Sequence, residues 1–157
     1  METQIGITSE NLADVTYALN TFLADEFILY VQTRKAHWNV ESSDFSYLHK
    51  LFEDQYIEID QIVDDIAERI RSLGHYASAT MSEYLRLTQL TEKSSEANDG
   101  KGYLRDLLLS HESIIINLRK NIDRFNGQLR DAGTSDFITG IMEKHEKIAW
   151  MLRSHLK

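Results

Sequence analysis

Cysteine is absent from the 157 residues, which excludes disulfides, zinc fingers, iron–sulfur clusters and thiol catalysis. Proline is absent as well, and four of the seven glycines fall between positions 100 and 133. Long stretches therefore carry no helix breaker, and the expected fold class is all-α. No apolar run approaches the ~18 residues that a membrane span needs. Residues 1–10 are polar and acidic, unlike a signal peptide, so a cytoplasmic protein is expected. Positive charge is scarce where a nucleic-acid arm would be sought: the first 33 residues contain no Lys or Arg, and the formal net charge is −8. Such a surface suits cations better than phosphates.

What is present is helical periodicity. The first helix is expected from about Ser9 to Trp38, with Leu12, Val15, Leu19, Phe22, Leu29 and Thr33 as its apolar seam. Glu41-Ser42-Ser43-Asp44 supplies a short polar turn with N-cap candidates. A second helix follows from about Asp44 to Leu73, with Leu48, Phe52, Ile59, Ile62, Ile66 and Ile70 inward and Gly74 as its C-terminal stop. Ala79 to Leu87 suits a short helix, and Thr91 to Gly102 reads as loop. The third long helix carries Leu104, Leu108, Ile115, Leu118, Ile122 and Phe125. Gly133-Thr134-Ser135 is expected to turn and cap the fourth, which carries Ile138, Ile141, Ile148 and Leu152. The two short connections make antiparallel hairpins. The connection of about 25 residues between them can travel the length of a bundle at ~1.5 Å per residue. One long crossover in a four-helix bundle is the ferritin-like pattern. The whole chain, 1–157, reads as one domain with a short tail at 1–8.

The second helix also carries a second pattern. His49 and Glu53 stand four residues apart, as do Asp64 and Glu68, so each pair shares a face and can converge on one ion. Phe45, Tyr56 and Val63 lie between that arc and the apolar seam. Glu53 and Asp64 are separated by eleven residues, roughly 16 Å of helix, too far for ligands of one ion near 2 Å. Two antiparallel copies of this helix about a two-fold axis near Glu58 and Ile59 would bring His49 and Glu53 of one chain to Asp64 and Glu68 of the other. The dimer would then hold two equivalent sites. His37, at the end of the first helix, can reach the same place. Mixed imidazole and carboxylate ligation suits Fe(II) and oxidant chemistry. No glutamate has His three positions later, so the Glu-x-x-His ligands of a di-iron site inside one bundle are missing.

At these residues the sequence resembles the Dps family of mini-ferritins. The matching stretch is Lys35-Ala36-His37-Trp38-Asn39-Val40, then Phe45, Leu48-His49, Phe52 and Asp64-Asp65-Ile66-Ala67-Glu68-Arg69-Ile70, and the likeness runs on to Trp150-Met151-Leu152-Arg153. The resemblance implies a homododecameric shell and a ferroxidase centre shared between subunits. It implies hydrogen peroxide ahead of oxygen as oxidant, and storage of the iron as Fe(III) mineral, protecting DNA from oxidative damage. Carried over by position, His37, His49, Glu53, Asp64 and Glu68 are the metal ligands or their neighbours. Trp38 stands where the family has a tryptophan able to intercept oxidising equivalents. Two positions depart: Glu53 stands where Asp is commoner, and Ser42 where the pattern has glycine. DNA-binding members often use a lysine-rich terminal extension, which is not seen here. A DNA-compacting nucleoid protein with little iron chemistry is the alternative reading, and a helical bundle with no cofactor is the blandest.

Elsewhere, His111 and His145 lie on apolar seams without an acid at i+3 or i+4 and are expected to be satisfied core histidines. His75 and His155 are expected to be exposed. Asp54, Glu58 and Asp65 read as a solvated or interface face. Asp131 and Asp136 could line an iron-entry pore or cap a helix.

Overall fold

The computed structural model describes residues 3–92 and 98–157, and the expected loop residues Lys93 to Ala97 lie outside them. Four long helices and one short one make the bundle: α1 Ser9–Asn39, α2 Phe45–Ser72, α3 Met81–Leu87, α4 Gly100–Asp123 and α5 Ala132–Ser154. The two hairpins α1–α2 and α4–α5 pack against each other, and the crossover carries α3 against α1. The isoleucine seam of α2 is buried as its spacing demands, with Ile59, Ile62, Ile66 and Ile70 inaccessible to solvent.

Helix ends follow local chemistry. Thr8 caps α1 by accepting from the Asn11 amide. Gly74 ends α2 with φ +89°, a conformation that costs glycine little, while the His75 amide reaches back to the Ile70 carbonyl. Thr80 and Glu83 form a reciprocal capping box on the seven-residue α3. The start of α4 is earlier than the loop expected to run to Gly102. Asp99 caps it by accepting from Gly102 at 2.8 Å, which draws both glycines into the first turn.

The α4–α5 turn also differs from expectation. α4 ends at Asp123 and passes through one π-helical turn, Arg124–Gln128, that buries Phe125. The reversal then falls at Leu129–Asp131, where Arg130 takes φ +55°, and Gly133-Thr134-Ser135 are already helical. Asp131 outcompetes the later Thr and Ser as cap: its carboxylate accepts from the Thr134 amide at 2.9 Å and faces Arg69 of α2 at 3.4 Å. At 3 % exposure Asp131 is committed to this cap, which removes it from the expected pore lining. Asp136 remains exposed.

A second buried carboxylate ties down the crossover. Asp25 of α1 accepts from Thr88 Oγ1 at 2.7 Å and from the backbone amides of Gln89 and Leu90 at 2.6 and 3.3 Å. Opposite, Gly100 lies so close to the α1–α2 turn that a Cβ there would stand 2.6 Å from Leu48 Cδ1 and 3.2 Å from the Ser42 Cβ. The serine at position 42 is thus accommodated by the missing side chain at 100.

Candidate metal centre

The α1–α2 turn brings His37 and His49 face to face. Their rings stack with centroids 3.8 Å apart. Each Nδ1 lies 2.8 Å from the other's backbone carbonyl oxygen. A carbonyl only accepts, so both Nδ1 atoms carry the hydrogen and donate it, and both Nε2 atoms keep a lone pair. The arrangement arises from the helix end. Val40 N–H closes on Ala36, and Glu41 N–H turns away to Asn98. The His37 carbonyl, among the last of α1, is therefore free of an intrahelical partner and takes the ring of His49. A backbone carbonyl on Nδ1 fixes tautomer and ring orientation and raises the basicity of the other nitrogen, the usual second contact of a metal-binding histidine.

The walls around the pair are aromatic. Phe45 stacks on His49 at 5.1 Å, and Tyr56 meets His37 edge-on at 5.3 Å. Arg34 lies over Tyr56 at 4.4 Å, Trp38 at 4.9 Å and Tyr30 at 5.7 Å, a cation held on three ring faces. Trp38 itself is 64 % exposed. Tyr56 lies on the boundary between the arc and the apolar seam of α2, whereas Tyr30 and Arg34 of α1, seven residues before His37 and four before Trp38, carry no motif that marks them.

The carboxylates are placed differently from the histidines. Glu53 is one turn beyond His49, but its side chain is drawn to Lys50 at 2.8 Å, and Lys50 also reaches Asp54 at 2.8 Å. The Lys50 hydrogen bond and the charge of that ammonium hold the Glu53 carboxyl below the usual range. Asp64 and Glu68 are exposed further along α2, about 16 Å from Glu53 by helix rise, and Asp64 opens onto a groove beside Tyr84 and Ala77. Within the described residues of one chain, no three His, Asp or Glu side chains gather closely enough to hold an ion. The structure unites His37 with His49 and leaves Glu53, Asp64 and Glu68 apart from them.

The remaining histidines depart from expectation. His75 and His155 are half-buried, His155 against the Tyr47 ring. His111 and His145 are core residues but not satisfied ones. Their Nδ1 atoms meet at 2.8 Å and His145 Nε2 stands 2.8 Å from Glu26 Oε1, yet His111 Nε2, His145 Nε2 and both Glu26 oxygens lack a partner of hydrogen-bonding geometry among the described residues. Burial, with His145 close by, pushes the His111 imidazole well below its ordinary value. Glu26 escaped the sequence reading. The signal was an acid pair, Asp25-Glu26, inside the apolar stretch Phe22 to Tyr30.

Residues 16–157 match the ferritin-like domain model. An uncharacterised low temperature-induced protein of Nostoc is 42 % identical over 153 residues, covering 98 % of this chain and 86 % of that one. DNA protection during starvation protein 2 of Bacillus anthracis is 34 % identical, covering 90 % and 96 %. Among solved structures, the Dps protein of Vibrio cholerae, described as one of a broad superfamily of ferritin-like diiron-carboxylate proteins, superposes with TM-score 0.92 at 29 % identity, over 99 % of this chain and 97 % of that one. The fold agrees with that of the solved relative over nearly its whole length, and the chain belongs to the ferritin-like family as one of its Dps proteins.

Proposed function

We propose that this protein oxidises Fe(II) at centres shared between two subunits and stores the product as Fe(III) mineral inside a closed homo-oligomeric shell, a dodecamer by the family's pattern. The observation that carries the reading is the reciprocal tie of His37 and His49, which commits both Nδ1 atoms to backbone carbonyls and leaves two Nε2 lone pairs for a metal. A second copy of α2, antiparallel across a two-fold axis, supplies the missing acids: Asp64 and Glu68 of one chain meet His37, His49 and Glu53 of the other. Exposed Phe45 and Ile57 on the same helix provide apolar area for that contact.

Iron is the substrate here. Two Fe(II) ions give one electron each to hydrogen peroxide, which takes up two protons and leaves as two waters, so no hydroxyl radical is released. His37 and His49 bind through Nε2. Glu53 joins them by leaving Lys50, and the neighbour's carboxylates offset the charge of Fe(III). Where only one Fe(II) is present, Trp38, next in sequence to His37 and with Arg34 over its indole, supplies the second electron. Oxygen is the slower alternative oxidant. With a net charge of −8, the protection of DNA follows from removing iron and peroxide and not from holding phosphates.

The test is optical, by stopped flow. Add Fe(II) and then peroxide, and follow iron oxidation in the parent, in His49→Ala, in Asp64→Ala and in the two variants co-assembled. Each variant alone is expected to be slow. The mixture is expected to recover about a quarter of the parent rate, because half of random two-fold pairs are mixed and each has one intact centre. A His49→Ala/Asp64→Ala double variant as fast as the parent would overturn the centre. Slow variants with no recovery on mixing would overturn its sharing.

A further inference from the structure

The bundle interior holds a buried group that iron chemistry at the α1–α2 turn does not use. Glu26 of α1, His145 of α5 and His111 of α4 form a line, at 2.8 Å from Glu26 Oε1 to His145 Nε2 and 2.8 Å from His145 Nδ1 to His111 Nδ1. All three side chains are buried. Gln55 of α2 is buried too, with both amide atoms unpartnered. Its neighbour Tyr56 touches Tyr30 of α1, and Ser110, next to His111, binds Gln32 of α1 at 2.9 Å. Four helices thus each supply a buried polar side chain to the core.

The geometry points to a hydrogen between the two rings. The facing Nδ1 atoms are 2.8 Å apart. That is the length of an N–H···N hydrogen bond. Two lone pairs at this distance repel and two hydrogens collide, so one Nδ1 hydrogen, and only one, fits between the rings. The buried Glu26 carboxylate has no hydrogen-bond donor among the described residues and needs a compensating charge in a medium of low dielectric. His145 Nε2, 2.8 Å from Glu26 Oε1, is the group placed to provide it, and burial beside His145 keeps His111 neutral.

We propose that Glu26, His145 and His111 form a buried site with room for one hydrogen between its two histidines, and that a second hydrogen reaches the facing Nδ1 atoms only by separating α4 from α5, which makes the bundle an acid-responsive element. The charged and titratable groups facing it are few. α1 contributes Glu26 and, beside it, Asp25, whose carboxylate is turned to the crossover. Among buried residues, α2 contributes only the neutral Gln55 as a polar group, and α4 and α5 only the two histidines at this level. Asp131 and Arg69 pair at the far end of the bundle. Among the described residues, no buried cation other than the histidines stands near Glu26, and no second buried acid faces His111.

The sign follows from linkage. A histidine kept neutral in the folded state and free to charge in the unfolded one leaves stability untouched above about pH 6.5 and removes it below. The folding equilibrium constant falls up to tenfold per pH unit per subunit. Two measurements on the iron-free full-length protein test this. Hydrogen exchange at imidazole C2, read for each histidine by mass spectrometry between pH 5 and 8, should show His111 with no titration while His75 titrates normally. Thermal midpoints measured over the same range should fall with acid in the parent and fall less than half as far in His111→Gln. An ordinary titration of His111 in the folded protein overturns the proposal, and so does a His111→Gln profile parallel to that of the parent. Should His111→Gln fail to fold, the exchange measurement on the parent decides. Neither readout involves iron oxidation, so the fate of the shared centre does not bear on the result.

Discussion

Two histidine pairs in this molecule have the same Nδ1 distances and opposite consequences. His37 and His49 each give Nδ1–H to a backbone carbonyl, at 2.8 Å, and the rings lie flat on one another. His111 and His145 give Nδ1 to each other, also at 2.8 Å, with planes tilted by 50°. In the first pair the backbone fixes both tautomers, so both far nitrogens are lone pairs and neither ring competes with the other. In the second pair the rings divide a single hydrogen, and the charge state of one dictates that of the other. The partner of Nδ1, more than burial or ring separation, decides whether a histidine pair is ready for a metal or holds a proton.

The largest stability effect expected from this contrast is at Glu26. Removing one member of a buried charge pair leaves the other uncompensated, at a cost of about 3 kcal/mol or more. Glu26→Ala is therefore expected to lose about that much against urea, and Glu26→Leu with His145→Leu to lose less than the sum of its single changes by about 1.5 kcal/mol. The same cycle on His37→Ala and His49→Ala should show weaker coupling, because each ring is bound to main chain that remains when the other ring is removed. Each single change there costs about 1 kcal/mol, the worth of one hydrogen bond. Equal coupling energies in the two cycles would erase the distinction between the pairs.

The sequence exposes the first pair and hides the second for a physical reason. α2 is covered on one side, so its buried residues recur at helical spacing from Leu48 to Ile70 and its other face shows as a separate arc of His49, Glu53, Asp64 and Glu68. The positions of His37 and His49 follow from that register. α1 touches α2, α3 and α4, and Thr21 through Glu26 are buried without a break. Periodicity carries no information where every direction is inward, and Asp25 and Glu26 then look like any helical acids. His111 and His145 are assigned to the core by their seams, but their contact joins residues 34 apart, which no local spacing reveals. Asp131 as a cap and Gly74 as a stop are legible because each acts within four residues of itself. The π turn at Arg124–Gln128 has no such signature.

Asp25 sharpens the comparison from the acid side, with the next largest effect. Burial pushes its carboxyl above the ordinary value, against the lowering by Thr88, Gln89 and Leu90. A raised folded value adds stability as pH falls toward the unfolded value near 4 and removes it as pH rises. Asp25 therefore opposes the acid loss caused by His111. Asp25→Ala strips the acceptor from two backbone amides and a hydroxyl and should cost about 2 kcal/mol or more at pH 7. Asp25→Asn keeps an acceptor oxygen, should cost less, and should make the thermal midpoint fall more steeply between pH 5 and pH 4 than in the parent. A shallower fall would mean that the carboxylate stays charged throughout.

The smallest effect is expected at Lys50, and it asks whether the first pair is as prepared as its ring geometry suggests. The ammonium holds Glu53 and Asp54 together and lowers the Glu53 carboxyl, so a metal taking Glu53 must first displace a cation already there. Lys50→Ala removes that competitor. It also lets the Glu53 carboxyl return to its ordinary range, which still leaves it ionised at pH 7. The net expectation is two- to three-fold tighter binding of Zn(II), used as a redox-silent probe of the apo centre, in calorimetry at low salt. The gain should fade at 0.5 M salt because the ion pair is exposed and screened. Weaker binding by Lys50→Ala would reverse the assignment: the lysine would then be orienting Glu53 toward the histidines, and the centre would depend on a surface ion pair as well as on the backbone.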